Sequence, residues 1–361
     1  MQDPRQLKLK TALLVVVIAL LPLCARAQVP AATTAAASDP SVERGIKLLE
    51  RGDMKGAAKE FRAAVKRTKD DPVLWLYLGR ALVAFGDLKE ARKALDASLR
   101  LWPDYADAHA SLAYLFLFSD KPGDAEAEAK RALASAPDSL DAHYVIGQLR
   151  LREGAWLKAL AEAELIIARS PNAAAAYSLK AEALLGLYER GNVVLADERR
   201  GVYKYDEKTI AEARAAQPLR LREAADSFER SVNLNPNAPG IAEMREQLET
   251  LRYYADAAAS PNPLLRIYTG SETMTKAVIT AKPEPSFTEE ARRASISGIV
   301  RLHAVLKADG SISHILVVKS LPLGLTQRAI EAARGIRFKP ATVNGHAVSQ
   351  YVTLEYNFNV Y

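Results

Sequence analysis

The chain has 361 residues, 49% hydrophobic and 25% charged, with 18 Gly and 18 Pro. Those proportions exclude wholesale disorder, a collagen-like chain and a polytopic membrane protein. The formal charge of +6 falls to +3 once residues 1–27, with Arg5, Lys8, Lys10 and Arg26 against Asp3, are set aside, which is too little to argue for nucleic acid. Length predicts two or three domains at roughly 100–200 residues each. The one cysteine, Cys24, leaves no disulfide scaffold and no Cys-ligated metal site.

Residues 1–10 are polar and basic, Ala12–Leu23 is an uninterrupted apolar run, and Ala25-Arg26-Ala27 offers a small-x-small cleavage pattern. The run is shorter than the ~20 residues that a membrane helix needs. The expectation is a signal peptide over 1–27, cleaved after Ala27, and a periplasmic mature chain. The alternative is an inner-membrane anchor facing the periplasm, so membrane association stays open. Residues 28–40, rich in Ala, Thr, Ser and Pro, read as a flexible start to the mature protein.

A period of 34 residues follows. Ala57, Ala91, Ala125 and Ala159 are that far apart; so are Pro103, Pro137 and Pro171; so are Gly45, Gly79, Ala113, Gly147 and Ala181. Small residues let two helices approach, and a proline ends each unit because it starts a helix but does not sit inside one. Between these marks the apolar spacing is helical, as in Trp75, Leu78, Leu82 and Phe85, and Gly86-Asp87 turns the chain into a second helix, Leu88–Trp102. The pattern resembles the tetratricopeptide repeat, with Trp75, Leu78, Gly79, Leu82, Ala91, Leu95 and Pro103 at its signature positions. The solenoid is expected over 41–258, with an insertion at 189–220, because Pro171 to Pro236 is 65 residues rather than 34. A last amphipathic helix, Ile241–Ala258, is expected to cap it. By position, the resemblance implies a concave groove lined by Arg80, Tyr114, Tyr144, Gln148, Arg152 and Glu182, which docks a protein or peptide or, failing that, lines a mere spacer.

The helical period stops after Ala258, and 259–281 reads as a linker. Ser286-Phe287-Thr288-Glu289 fits a capping box opening a short helix. Ile299–Lys307 and Ile312–Ser320 read as strands around the turn Ala308-Asp309-Gly310, Thr326–Ala333 as a helix, and Val348–Tyr361 as a strand after Asn344-Gly345. In that last strand Val352, Leu354, Tyr356 and Phe358 alternate with Tyr351, Thr353, Glu355 and Asn357, predicting one buried and one wet face.

This α-β-β-α-β order over 282–361 resembles the C-terminal domain of TonB, the periplasmic energy transducer. The resemblance rests on Pro285, Phe287, Ala291-Arg292, Ile296, Gly298, Val300, Asp309-Gly310, Ala329-Ile330, Arg337-Phe338-Lys339-Pro340-Ala341 and Asn344-Gly345. The fold class expected is therefore mainly α, a helical solenoid followed by a small α+β domain. The resemblance implies a partner strand added along the last strand, at Tyr351, Val352, Thr353, Leu354, Glu355, Tyr356, Asn357 and Phe358, the usual partner being a segment of an outer-membrane receptor. Two features depart from a full transducer: the apolar run carries no histidine, and repeats replace a Pro-rich spacer.

Enzyme chemistry has no support: there is no phosphate-cradling Gly-rich loop and no nucleophile elbow. His109 and His143 share a repeat position with Trp75 and Tyr177, so packing is expected of them. His303 and His314 flank the hairpin, placed to face each other, but two imidazoles without a third ligand are weak grounds for a metal. No cofactor is expected. Three readings stay open: an envelope adaptor that binds proteins at both ends, an anchored TonB-type transducer, and an envelope-assembly scaffold that needs only the repeats.

Overall fold

The computed structural model describes residues 39–359, apart from 202, 237–240, 260–266, 269–272, 294–295 and 322. The expected signal peptide and nearly all of the expected flexible start lie outside the described residues. The chain forms two compact units, one from residues 39–183 with 233–236 and the other from 184–232 with 241–359.

The first unit is built from helical hairpins: α1 (Pro40–Glu50) with α2 (Met54–Arg67), α3 (Pro72–Phe85) with α4 (Leu88–Leu101), α5 (Ala106–Phe118) with α6 (Pro122–Ser135), and α7 (Leu140–Arg152) with α8 (Trp156–Arg169). The start signals are aspartates. The side chains of Asp39, Asp53, Asp71 and Asp87 accept from Ser41, Gly56, Val73 and Glu90 N–H at 2.8–3.2 Å, taking orphan donors of the first turn. Gly86 stops α3 at φ 89°, a left-handed conformation that glycine adopts without penalty.

The 34-residue marks do what their size allows. Ala57, Ala91, Ala125 and Ala159 are fully buried. A Cβ on Gly79 would lie 2.6 Å from Leu95 Cδ2, so α3 and α4 approach only because that atom is missing. The aromatic position of each repeat has a second task. Trp75, His109, His143 and Tyr177 each bond the backbone carbonyl six residues earlier, at Lys69, Pro103, Pro137 and Pro171, over 2.8–3.2 Å. In these four repeats one ring thus clips the start of a helix to the turn before it, which is why a planar side chain with a polar atom recurs there, whereas the first repeat has Ser41 at that position. His109 and His143 use their other nitrogen on Glu128 and Glu162, each at 2.7 Å.

The second unit contains parts of two long helices, α9 (Ala174–Arg200) and α10 (Glu207–Leu234), then α11 (Ile241–Ala259) and a small α+β domain. The expected insertion lengthens these two helices. Arg214 pairs with Glu198 at 2.8 Å across them.

The domain has more strands than the sequence suggests: β1 (Val278–Ala281), α12 (Glu289–Arg293), β2 (Gly298–Leu306), β3 (Ile312–Lys319), α13 (Leu325–Arg334), β4 (Arg337–Lys339), β5 (Ala341–Val343), β6 (His346–Val348) and β7 (Gln350–Phe358). The main sheet runs β3-β2-β7, all antiparallel; β1 pairs with β4, and β5 with β6. The β5–β6 turn is Asn344-Gly345 at φ 51° and 79°, the left-handed pair that a two-residue hairpin requires. Helix α12 starts on Thr288 rather than Ser286: its hydroxyl caps Ala291 N–H and donates to Leu323 O, a tertiary tie that the capping-box pattern did not contain. Leu325, Ala329, Ile330 and Ala333 of α13 join Val300, Leu302, Ala304, Leu354, Tyr356 and Phe358 in one core.

The other face of this sheet is not uniformly wet. Thr353, Glu355 and Asn357 are exposed as expected. Towards the start of β7, however, Val305 and His303 are buried, and Tyr351 meets Tyr254 of α11 edge-on with ring centroids 5.7 Å apart. Helix α11, expected as a polar cap, lays Gln247, Tyr253 and Tyr254 against β3. The Gln247 amide donates to Ile315 O (3.1 Å) and accepts from Val317 N–H (3.0 Å), and Tyr254 donates to His314 O (2.8 Å).

Candidate functional site

The edge of β7 follows from one contact and the alternation of a strand. Tyr351 N–H donates to Tyr268 O at 2.9 Å, on the side away from β2. Successive residues turn their backbone groups to opposite sides. Tyr351, Thr353, Glu355 and Asn357 therefore direct N–H and C=O outward, while Val352, Leu354, Tyr356 and Phe358 direct theirs to β2. Consistent with this, Lys282 Nζ donates to Glu355 O at 2.6 Å. The side chains obey a separate alternation: Leu354, Tyr356 and Phe358 enter the core, whereas Glu355 pairs with Arg301 at 2.6 Å on the open face. Burial pushes the Tyr356 phenol up to about 12, and its hydroxyl has no hydrogen-bond partner among the described residues.

The six expected groove residues divide into two groups. Arg80, Tyr114 and Tyr144 are buried, and only Gln148, Arg152 and Glu182 reach solvent appreciably. Arg80 is 9% exposed and is committed to its own chain. Its Nε donates to Ser111 Oγ at 2.9 Å and its Nη2 to Asp141 Oδ2 at 3.0 Å, with Asp107 at 3.8 Å. The guanidinium thus ties α3 to α5 and α7, a long-range tie that repeat position alone does not reveal. Gln148 donates to Tyr144 Oη at 2.9 Å. Arg152 donates to Leu117 O (3.0 Å) and Asp120 Oδ1 (3.1 Å), and loss of water around its guanidinium lowers its pKa. Glu182 is exposed, yet the protein crowding it pushes its carboxyl up to about 7.

His303 and His314 do not face each other. Opposite His303 stands Leu316, and His314 occupies a bulge of β3 at φ 49°, which turns its ring onto Tyr253, centroids 3.6 Å apart. His303 bonds Glu189 through Nε2 (2.9 Å) and the Tyr351 hydroxyl through Nδ1. Sequence reasoning missed this buried Glu-His-Tyr chain because Glu189 is more than a hundred positions from His303. Among the described residues no three His, Cys, Asp or Glu side chains gather as a metal site, and no helix is long and apolar enough to cross a membrane.

Comparison with known proteins follows the same division. Residues 283–360 match the family model of the Gram-negative bacterial TonB protein C-terminal domain. Residues 42–106 and 83–149 match two tetratricopeptide repeat models. No curated protein matches the chain. Among solved structures, it is similar to a MamA protein (19% identity, 56% of this chain and 92% of that one, TM-score 0.33). It is also similar to a thermophilic tetratricopeptide repeat protein of Thermus thermophilus (16%, 59% and 97%, 0.43), and to the type IV pilus biogenesis factor PilW (14%, 63% and 96%, 0.40). At scores below 0.5 these likenesses carry no weight. Both matched families are non-enzymatic protein-interaction domains, and the TonB match associates the chain with the Gram-negative envelope. The chain is a tetratricopeptide-repeat protein with a C-terminal TonB-family domain.

Proposed function

We propose that this is an exported adaptor of the periplasm, whose repeats dock one protein or peptide and whose TonB-family domain takes an extended segment of another along β7. The observation that carries it is the outward run Thr353, Glu355 and Asn357. An edge strand with outward N–H and C=O groups is completed by an added strand, with affinity from the main chain. By family, the partner is a segment of an outer-membrane receptor. Gln148, Arg152 and Glu182 are the contacts we assign to the repeat ligand. The protein acts by binding alone, with no cofactor, no catalytic residue and no nucleic acid.

Export is tested by the N-terminus of the mature chain: Gln28 in the soluble periplasmic fraction fits the proposal, and Met1 retained in washed membranes overturns export in favour of an anchored transducer. Strand addition is tested by photo-crosslinking in envelope preparations. A crosslinker at position 357 should capture a partner from the Thr353→Ala chain and not from Thr353→Pro. Equal capture by both excludes backbone recognition at this edge.

A further inference from the structure

The β7 edge is not empty in the structure. Residues between α11 and α12 already hold it at both ends. Tyr268 forms a parallel bridge with Gln350: its N–H donates to Ser349 O at 3.0 Å and its carbonyl accepts from Tyr351 N–H at 2.9 Å. Ala277 N–H donates to the Gln350 side-chain oxygen at 2.8 Å. Further along, the Lys282 ammonium donates to Glu355 O at 2.6 Å and lies 4.5 Å from the centre of the Tyr356 ring. Between these ends the segment is fastened elsewhere: Met274 N–H donates to Thr342 O at 2.9 Å, and β1 pairs with β4. Of the outward positions, Tyr351 has its N–H taken and Glu355 its carbonyl. Thr353 and Asn357 keep both groups without a backbone partner on that side among the described residues.

We infer that Tyr268 and Lys282 act as a built-in competitor for the β7 edge, so that a partner strand gains its full register only by displacing them. The inference rests on the strand-addition reading of β7 and adds its regulation. The chemistry is symmetric: Tyr268 satisfies the same groups as a partner strand, and the Lys282 ammonium occupies the carbonyl that an incoming N–H needs. Because the competitor is tethered, it acts at an effective concentration on the order of millimolar, enough to exclude a weak strand and admit a strong one. A long, fully open edge is an aggregation hazard, and partial self-occupancy removes it.

The test uses the full mature chain and two variants. Tyr268→Pro deletes the N–H given to Ser349, and Lys282→Met keeps the stem and deletes the ammonium. Amide exchange read by NMR should quicken at Tyr351 in Tyr268→Pro by about fivefold, the worth of one net hydrogen bond. Leu354 and Tyr356, which face β2, should hold their rates and so report that the sheet is intact. A labelled synthetic peptide copying residues 267–282 should then bind the double variant about tenfold more tightly than the native chain. Unchanged exchange at Tyr351 overturns the competitor, and if the peptide also binds both chains alike, strand addition survives without it. Faster exchange with no peptide binding to either chain overturns the competitor too, and counts in addition against strand addition at this edge.

Discussion

Proline placed in turn at Thr353 and Leu354 asks of each residue which way its N–H points. Proline has no N–H and fixes φ near the strand range, so its cost depends on whether that N–H was in the ladder. Thr353 is exposed and directs its N–H outward, so Thr353→Pro should lower the stability of the sheet by no more than about 1 kcal/mol relative to Thr353→Ala. Leu354 stands opposite Leu302 and is 3% exposed. Losing its side chain alone, as in Leu354→Ala, should cost about 2–5 kcal/mol. Leu354→Pro removes in addition a ladder bond and strands the carbonyl of β2 that accepted it, a further ~3 kcal/mol. The comparison of Leu354→Pro with Leu354→Ala therefore isolates the backbone contribution. Amide exchange over β2 and β7 reports it without interference from the repeats. Equal effects of proline at 353 and 354, each referred to its alanine variant, would refute the assigned direction and the partner edge with it.

Gly79→Leu drives a side chain into the space where even a Cβ would lie 2.6 Å from Leu95; urea unfolding followed by tryptophan fluorescence should show a loss of roughly 1–3 kcal/mol. Arg80→Met keeps the stem but leaves Asp141 facing no guanidinium, and should cost about 3 kcal/mol in the same assay; a change below ~0.5 kcal/mol, as expected of a surface residue, contradicts the tie between α3, α5 and α7. His314 sits below its ordinary value of 6.5 because burial and then Lys307 disfavour its cation. The packing of α11 on β3 is therefore complete above pH 6.5 and weakens as pH falls towards the lowered value. Exchange of β3 amides should rise on acidification, and His314→Asn, which tolerates the left-handed backbone, should flatten that rise.

The parts legible in the sequence are those set by local patterns. The 34-residue marks locate the helical hairpins because close packing at Gly79 and Ala91 leaves no room for larger side chains. The Asp-Gly and Asn-Gly turns locate both hairpins of the small domain because Gly310, Asn344 and Gly345 take left-handed φ values that few other residues accept, and Asp309 accepts from Ser311 N–H within its turn. Contacts between distant segments were not legible. Arg80 sits at a groove position by register, yet Asp141, sixty-one positions away, decides that it is buried. The alternation of β7 predicted its inner face well, but Tyr351 is half-buried against His303 and Tyr254, with Glu189 behind His303, and no pattern within the strand encodes them. Likewise, the alternation could not say which N–H groups faced outward; one contact from Tyr268 does.

The amide of Gln247 carries a consequence for how many copies can join. A three-stranded sheet with two open edges is bivalent: each molecule could add one neighbour on either side, and such a head-to-tail contact has no geometric stopping point. By donating to Ile315 O and accepting from Val317 N–H, Gln247 imitates a strand one residue long and blocks the middle of the β3 side. On the strand-addition reading, β7 is therefore the side left to a partner, while Tyr253 and Tyr254 of the same helix, on His314, help Gln247 keep a second strand from β3.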